Sequence, residues 1–154
     1  MTKDKINEFT LRITQANRSE IIVIMYDIAI CYIEDAIDSS DHGTLRANAV
    51  NAIKVIEDLM KALDYGKELA YVLNNYYMYI RKLLTASIYK DSRQELKRAQ
   101  EYLLSVKKSF EKVAKEDTSE KIMTNTENIY TGLTYGRKAL YDSLTTEVAR
   151  GYTI

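Results

Sequence analysis

The sequence predicts an all-α protein, and three features of the chain point to that fold class. Its 154 residues include no proline and only five glycines, so few positions would interrupt a helix. Residues 21–37 read IIVIMYDIAICYIEDAI and are apolar on nearly every side, as expected for a helix surrounded by other helices. Elsewhere apolar residues recur at alternating spacings of three and four, the pattern of helices that pack along a seam. The length fits a single domain covering residues 1–154.

Residues 1–16 are predicted to form an extended N-terminal strap. Phe9, Leu11 and Ile13 alternate with polar residues, and this period of two would place their side chains along one edge of an extended segment. We hypothesise that this edge lies in an apolar groove of the same protein. The alternative is a terminal segment without a fixed conformation.

The first predicted helix covers about residues 17–39 and has sequence signals at both ends. Asn17 is a favourable N-cap, and Glu20 follows three residues later, as a capping box requires. The polar run at residues 39–43 contains a glycine and marks a turn. Inside the helix, Asp27 is predicted to hydrogen-bond to a neighbouring helix rather than to bind a metal ion.

Three further helices are predicted at about residues 44–63, 67–90 and 92–116, which completes a four-helix core over residues 17–116. The second and fourth helices carry seams with near-heptad spacing, formed by Leu45, Ala49, Ala52, Ile56, Leu59, Leu63, Leu96, Ala99, Leu103, Val106, Phe110 and Val113. Three tyrosines crowd together on the third helix at positions 76, 77 and 79. Tyrosine combines a large contact area with a polar tip, and it is frequent on surfaces that bind other proteins.

Residues 117–154 form a C-terminal extension with a weaker apolar stripe, and two interpretations of it stay open. It can be a fifth helix that completes the bundle through Ile129, Leu133 and Leu140. Alternatively, it can be a removable ligand that lies in a groove of its own chain.

The residue inventory argues against catalysis and against metal binding. The chain has one histidine, His42, which lies in a turn, and the Glu-x-x-His pattern of helical carboxylate metal sites is absent. The single cysteine, Cys31, lies among apolar residues with no basic neighbour to activate its thiol and no partner for an internal disulfide. We therefore predict no catalytic residues, no metal site and no cofactor.

Charge and hydropathy also limit the kinds of partner that the protein can bind and its location in the cell. The chain has 22 basic and 22 acidic residues, whereas nucleic-acid-binding proteins usually carry a basic excess. Residues 21–37 are too short and too often interrupted by polar residues for a membrane span. The first residues lack the apolar core of a signal peptide. These features predict a cytosolic protein that neither binds nucleic acid nor inserts into a membrane.

The order of these sequence strings resembles the FliS family of flagellar export chaperones for flagellin. In the first helix, ANRSEIIVIMYD at residues 16–27 is similar to the family's cap, glutamate and apolar run leading into a Tyr-Asp pair. Further positions that fit the family pattern are Ile33, Ala36, Ala52, Ile53, Ile56, Leu59, Leu63, Asp64, Leu69, Ala70, Leu73, Tyr76, Tyr79, Leu83, Ala86, Asp91, Leu96, Leu103 and Phe110. The resemblance covers about residues 5–116.

The chain departs from the family pattern at three places. Arg18 stands where the family often has proline, and Phe110 stands where it often has tryptophan. Residues 117–154 extend past the usual family length, so the resemblance implies nothing about their role.

The resemblance implies an antiparallel up-and-down four-helix bundle, and the apolar stripe of residues 117–154 predicts an additional, helical segment at its C-terminus. It also implies a cytosolic chaperone that holds the C-terminal segment of new flagellin in apolar grooves, prevents premature polymerisation and assists secretion. The residues expected to contact this client are Ile22, Tyr26, Ile33, Leu73, Tyr76, Tyr77, Ile80 and Leu84. Phe9, Leu11 and Ile13 are expected to cover the groove until the client arrives.

The alternative function is a self-associating helical bundle that acts as a structural or adaptor protein without a flagellin client. A homodimer and contacts with other flagellar export components remain open at this point. Competition between dimer formation and client binding for one surface would distinguish the two functions.

Overall fold

The computed structural model describes residues 1–123, and within them it contains five α-helices and no strand. They are α1 (Lys3–Thr14), α2 (Arg18–Ile37), α3 (His42–Lys61), α4 (Glu68–Lys90) and α5 (Arg93–Glu116). The predicted all-α class is confirmed, and α2 to α5 begin and end within two residues of their predicted bounds. Residues 124–154 lie outside the described range, and so do the predictions made for Ile129, Leu133 and Leu140.

Helices α2 to α5 form a four-helix bundle in which short turns join antiparallel neighbours. Helix α2 packs against α3 and α5, and α4 packs against the same two helices, so α2 and α4 lie diagonally opposite each other. None of the helices in the described residues is long and apolar enough to cross a membrane.

The capping box predicted for the first bundle helix is confirmed at the N-terminus of α2. The Asn17 side chain accepts a hydrogen bond from the Glu20 backbone N–H at 3.0 Å, and Glu20 accepts one from the Asn17 backbone N–H at 3.0 Å. At the other end of α2, the Arg93 guanidinium donates to the carbonyl oxygens of Ile37 at 3.1 Å and Ser39 at 2.5 Å. These bonds satisfy backbone groups that a helix terminus would otherwise leave without partners.

A buried aromatic group links α2, α4 and α5 at the centre of the bundle. The hydroxyl groups of Tyr26 and Tyr77 are hydrogen-bonded at 2.5 Å, and the rings of Tyr26 and Phe110 pack edge to face at 5.8 Å. Burial raises the pKa of Tyr77 well above its ordinary value, against the smaller effect of the hydrogen bond from Tyr26. Phe110 is buried, so it fills a position in the core.

The N-terminal segment is helical, and the prediction of an extended strap is wrong in conformation. The Thr2 side chain caps α1 by accepting a hydrogen bond from the Lys5 backbone N–H at 3.3 Å. Phe9 and Ile13 are one helical turn apart, so both are buried against the bundle, whereas Leu11 faces outward and is 45% exposed. Residues four apart fit a helix as well as an extended segment, and the helix satisfies its own backbone hydrogen bonds.

After α5, the chain returns to the N-terminus of α2 and is fixed there. The Asn17 side chain donates to the Asp117 carbonyl at 3.0 Å, and the Ser19 hydroxyl donates to the Asp117 carboxylate at 2.6 Å. The Ile122 N–H donates to the Ala16 carbonyl at 3.2 Å. Hydrogen bonds from Ser119 and Ser19 lower the pKa of Asp117 to about 2.

Candidate functional site

Helix α4 carries an unusual amount of exposed apolar surface. No charged residue occurs along it between Glu68 and Arg81. Seven of the twelve exposed large apolar side chains in the described residues belong to it, namely Leu69, Tyr71, Val72, Tyr76, Met78, Tyr79 and Tyr89. Contiguous exposed apolar surface of this kind often marks a site of interaction with another chain.

Part of this surface lines a groove between α4 and α5, which we call the α4–α5 groove. Its volume is about 690 Å³. The side chains that line it are Leu69, Val72, Leu73 and Tyr76 from α4 and Ser105, Val106, Ser109, Phe110 and Val113 from α5. The end of the groove beside the N-terminus of α2 is lined by Arg18, Ser19, Glu116, Asp117 and Ser119. Farther along the same two helices, the rings of Tyr79 and Tyr102 pack edge to face at 4.8 Å.

The groove has an apolar floor and a more polar margin. Leu73, Val106 and Phe110 are buried and form the floor. Leu69, Val72 and Val113 line the groove and are about half exposed, at 46%, 46% and 47%. The serines of α5 and the charged end beside α2 supply polar groups at the edge. An arrangement of this kind accepts the apolar face of an amphipathic helix, whose polar face remains in water.

The structure separates the eight predicted client-contact residues into two groups. One of the eight, Tyr76, is exposed, at 43%. The other seven are buried, namely Ile22, Tyr26, Ile33, Leu73, Tyr77, Ile80 and Leu84. Leu73 and Tyr76 line the α4–α5 groove. The other six side chains pack in the bundle interior, so they have no free surface for a client in this conformation.

Three groove residues were absent from the predicted set, although each stands in an apolar stripe of its helix. Leu69, Val72 and Val113 are exposed in the groove, whereas Ile80 and Leu84 on the same stripe of α4 are buried. Helical spacing alone does not distinguish these positions. The distinction depends on where the neighbouring helix lies, and that information is tertiary.

Helix α1 lies beside α2 and α5, on a surface other than the α4–α5 groove. The carboxylate of Asp27 on α2 accepts from Arg12 of α1 at 2.7 Å and from Lys107 of α5 at 2.5 Å. This confirms that Asp27 bonds to neighbouring helices. Phe9, Leu11 and Ile13 do not line the α4–α5 groove, so any cover that they provide is over the surface of α2 and α5.

The described residues contain no group of three or more His, Cys, Asp and Glu side chains that could hold a metal ion. His42 lies at the start of α3, where its Nδ1 is 3.1 Å from the carboxylate of Asp91. The prediction that Cys31 has no basic neighbour is wrong, because the Lys5 ammonium donates a hydrogen bond to its sulfur at 3.4 Å. Cys31 is buried, and this burial raises the pKa of its thiol despite that hydrogen bond. A raised pKa leaves little reactive thiolate at neutral pH.

An apolar groove with a polar margin is typical of the class of proteins that bind helical segments of other chains. Within that class the family is defined by sequence. A family model described as flagellar protein FliS matches residues 4–117. The chain therefore belongs to the FliS family of flagellar chaperones.

The family match includes all four bundle helices and every residue that lines the α4–α5 groove except Ser119, and it ends at Asp117. Residues 118–154 therefore lie beyond the part that the family model describes. No curated protein sequence matches the chain.

Proposed function

We propose that this protein is an export chaperone for flagellin and that its α4–α5 groove binds a helix from the C-terminal segment of flagellin. By covering the apolar face of that helix in the cytosol, it prevents premature polymerisation and assists secretion. The observation that carries the proposal is the uncharged, exposed half of α4 that borders the groove, in a chain that belongs to the FliS family.

The physical basis of binding is burial of apolar surface by a segment that becomes ordered. Ordering a disordered segment costs on the order of 2–5 kcal/mol, so the contact must remove considerable apolar surface from water. Each 100 Å² of apolar surface buried contributes about 2.5 kcal/mol. The half-exposed side chains of Leu69, Val72, Tyr76 and Val113 supply part of that surface.

The buried residues of the predicted set have a supporting role in this proposal. The six interior side chains hold the bundle helices in place; they are Ile22, Tyr26, Ile33, Tyr77, Ile80 and Leu84. Leu73 and Tyr76 remain the proposed contacts from that set, joined by Leu69, Val72 and Val113. Substituting the six interior residues is expected to affect binding only through loss of structure.

Titration calorimetry with the roughly 40-residue C-terminal segment of flagellin from the same source tests the proposal. The wild-type chain is expected to bind it one to one with a large negative heat-capacity change. Val72→Asp places a charge in the groove, and it is expected to weaken binding at least tenfold, which is about 1.4 kcal/mol. Absence of binding by the wild-type chain at tens of micromolar would contradict the proposal.

Thr85→Asp is the matched control, because it adds the same charge to an exposed position of α4 outside the groove. It should leave the affinity within about twofold of wild type. Equal losses in the two variants would show that the charge on α4, and not occupation of the groove, decides binding. Circular dichroism of both variants checks that the bundle remains folded.

The second candidate function is self-association through the same apolar face of α4. It is favoured by the exposed tyrosines of α4 together with a net charge of zero, which gives weak electrostatic protection against association. Sedimentation of the wild-type chain at several concentrations, with and without the flagellin segment, distinguishes the two. A dimer that the flagellin segment does not dissociate would favour the second function.

A further inference from the structure

We propose that residues 124–154 bind to the α4–α5 groove of their own chain and compete with the client for it. The inference rests on the proposed function only in naming flagellin as the competitor. Binding of the C-terminal segment to the groove can be true whatever the client is.

The described chain ends close to one end of the groove. Asp117 and Ser119 belong to the groove lining. The Ser19–Asp117 hydrogen bond and the backbone bond from Ile122 to Ala16 fix this stretch to the N-terminus of α2. Ile122 and Met123 pack against the core. The remaining 31 residues therefore follow a stretch that passes the end of the groove at Ser119 and is fixed to the N-terminus of α2.

The sequence that follows is chemically matched to the exposed half of α4. Residues 128–136 read NIYTGLTYG, which is uncharged and rich in apolar and aromatic side chains. On α4, residues 69–80 are uncharged too. Transfer of a charged side chain into an apolar groove would be costly, so an uncharged run is the part of the segment that fits. The family model ends at Asp117, so the segment lies beyond the shared family region.

The covalent tether strengthens the contact between the segment and the groove. The four residues between Met123 and Asn128 can span up to about 14 Å. A short tether gives an effective concentration in the millimolar range. A contact with an intrinsic dissociation constant near 100 μM would then be about nine-tenths occupied, and it would weaken client binding roughly tenfold.

Photo-crosslinking in the full-length chain tests whether the segment occupies the groove. Tyr76→p-benzoylphenylalanine places the probe in the groove, and Tyr89→p-benzoylphenylalanine is the control at an exposed position of α4 outside it. After irradiation without client, mass spectrometry should find crosslinks from position 76 to residues 124–154 within single chains. The probe at position 89 should give few or none.

Two results of this experiment would overturn the proposal. If position 76 gives no crosslink to residues 124–154, the segment does not occupy the groove. If the crosslinks occur only in covalent dimers, the occupant is a second copy of the chain. Equal yields at positions 76 and 89 would indicate random collision, and they would count against the proposal as well.

The competition is tested with the double variant Ile129→Asp/Leu133→Asp, which places charges in the uncharged run. We expect it to lose the crosslinks from position 76 and to bind the flagellin segment about tenfold more tightly than wild type. Thr145→Asp/Thr146→Asp is the control with equal added charge outside residues 128–136, and it should bind as wild type does. An unchanged affinity in the first variant would refute competition.

The two proposals can fail separately. Crosslinks from position 76 in wild type, together with no binding of the flagellin segment even to Ile129→Asp/Leu133→Asp, would support the self-contact and contradict the flagellin client. The opposite outcome is also possible: Val72→Asp weakens binding of the flagellin segment, no crosslinks form, and the C-terminal variant has no effect. That outcome would support the client site and contradict the self-contact. A fall in thermal stability of the C-terminal variant without crosslinks would instead support the fifth-helix interpretation.

Discussion

At the scale of single residues, the hydroxyl groups of Tyr26 and Tyr77 form a buried hydrogen bond between two helices of the bundle. Tyr26 on α2 and Tyr77 on α4 meet across the diagonal of the bundle, and their hydroxyl oxygens are 2.5 Å apart. A buried hydroxyl without a partner costs about 1–3 kcal/mol. The pair therefore favours the one arrangement of α2 and α4 in which both groups are bonded.

Tyr26→Phe is expected to lower the free energy of unfolding by about 1–3 kcal/mol, since it removes the hydroxyl to which Tyr77 is bonded. The double variant Tyr26→Phe/Tyr77→Phe should be more stable than Tyr26→Phe, because no Tyr77 hydroxyl then lacks its partner. Urea unfolding of the three chains measures both effects. A double variant less stable than Tyr26→Phe would contradict this account.

Asp117 gives a pH dependence whose sign follows from its lowered pKa. Hydrogen bonds from Ser119 and Ser19 lower this pKa from 3.8 to about 2. A carboxyl group with a lower pKa in the folded state stabilises the fold above its unfolded-state pKa. That contribution is lost as the pH falls from about 4 to about 2.

Ser19→Ala is expected to raise the pKa of Asp117 towards 3.8, because it removes one of the hydrogen bonds that favour the carboxylate. Titration of the Asp117 carboxyl carbon by nuclear magnetic resonance measures the shift. Ser109→Ala, at an exposed position of α5, is the control and should leave the pKa unchanged. An unchanged pKa in Ser19→Ala would show that the Ser19 bond has no effect on this group.

At the scale of elements, α1 shows why a short apolar pattern does not define a conformation. Phe9, Leu11 and Ile13 have a period of two, which fits an extended edge. Phe9 and Ile13 are also four residues apart, which fits one face of a helix. The Thr2 cap and packing against the bundle favour the helix, and they leave Leu11 on the outer side.

Two substitutions in α1 distinguish the helix from an extended strap. Phe9→Ala should weaken packing of α1 and lower stability by about 1–2 kcal/mol, less than for a central core residue because α1 is peripheral. Leu11→Ala removes an exposed side chain and should change stability by less than about 0.5 kcal/mol. Urea unfolding and hydrogen exchange in α1 measure both effects. Similar losses in the two variants would favour an extended edge.

At the scale of the whole molecule, the four helices of the bundle leave α4 with the largest exposed apolar face. Helix α2 is covered by α3 and α5, and α1 packs on it as well. Helix α4 has the same two neighbours, and in the described residues no helix packs on its outer side as α1 does on α2. The client site and the C-terminal self-contact are both proposed for this face.

Four features could be predicted from the amino-acid sequence: the all-α class, the four bundle helices, the Asn17 capping box and the hydrogen bonds of Asp27 to neighbouring helices. Those features depend on composition, periodicity and short-range hydrogen bonding, all of which can be read along one segment. The family could be recognised too, from the order of strings such as that leading into Tyr26 and Asp27.

Packing between helices determines which apolar residues remain exposed. Ile80 and Val72 both lie on the apolar side of α4, yet Ile80 is buried and Val72 is half exposed in the groove. Burial depends on how closely a second helix approaches each position. That approach is the result of packing between segments far apart in the chain, so helical spacing within α4 does not contain it.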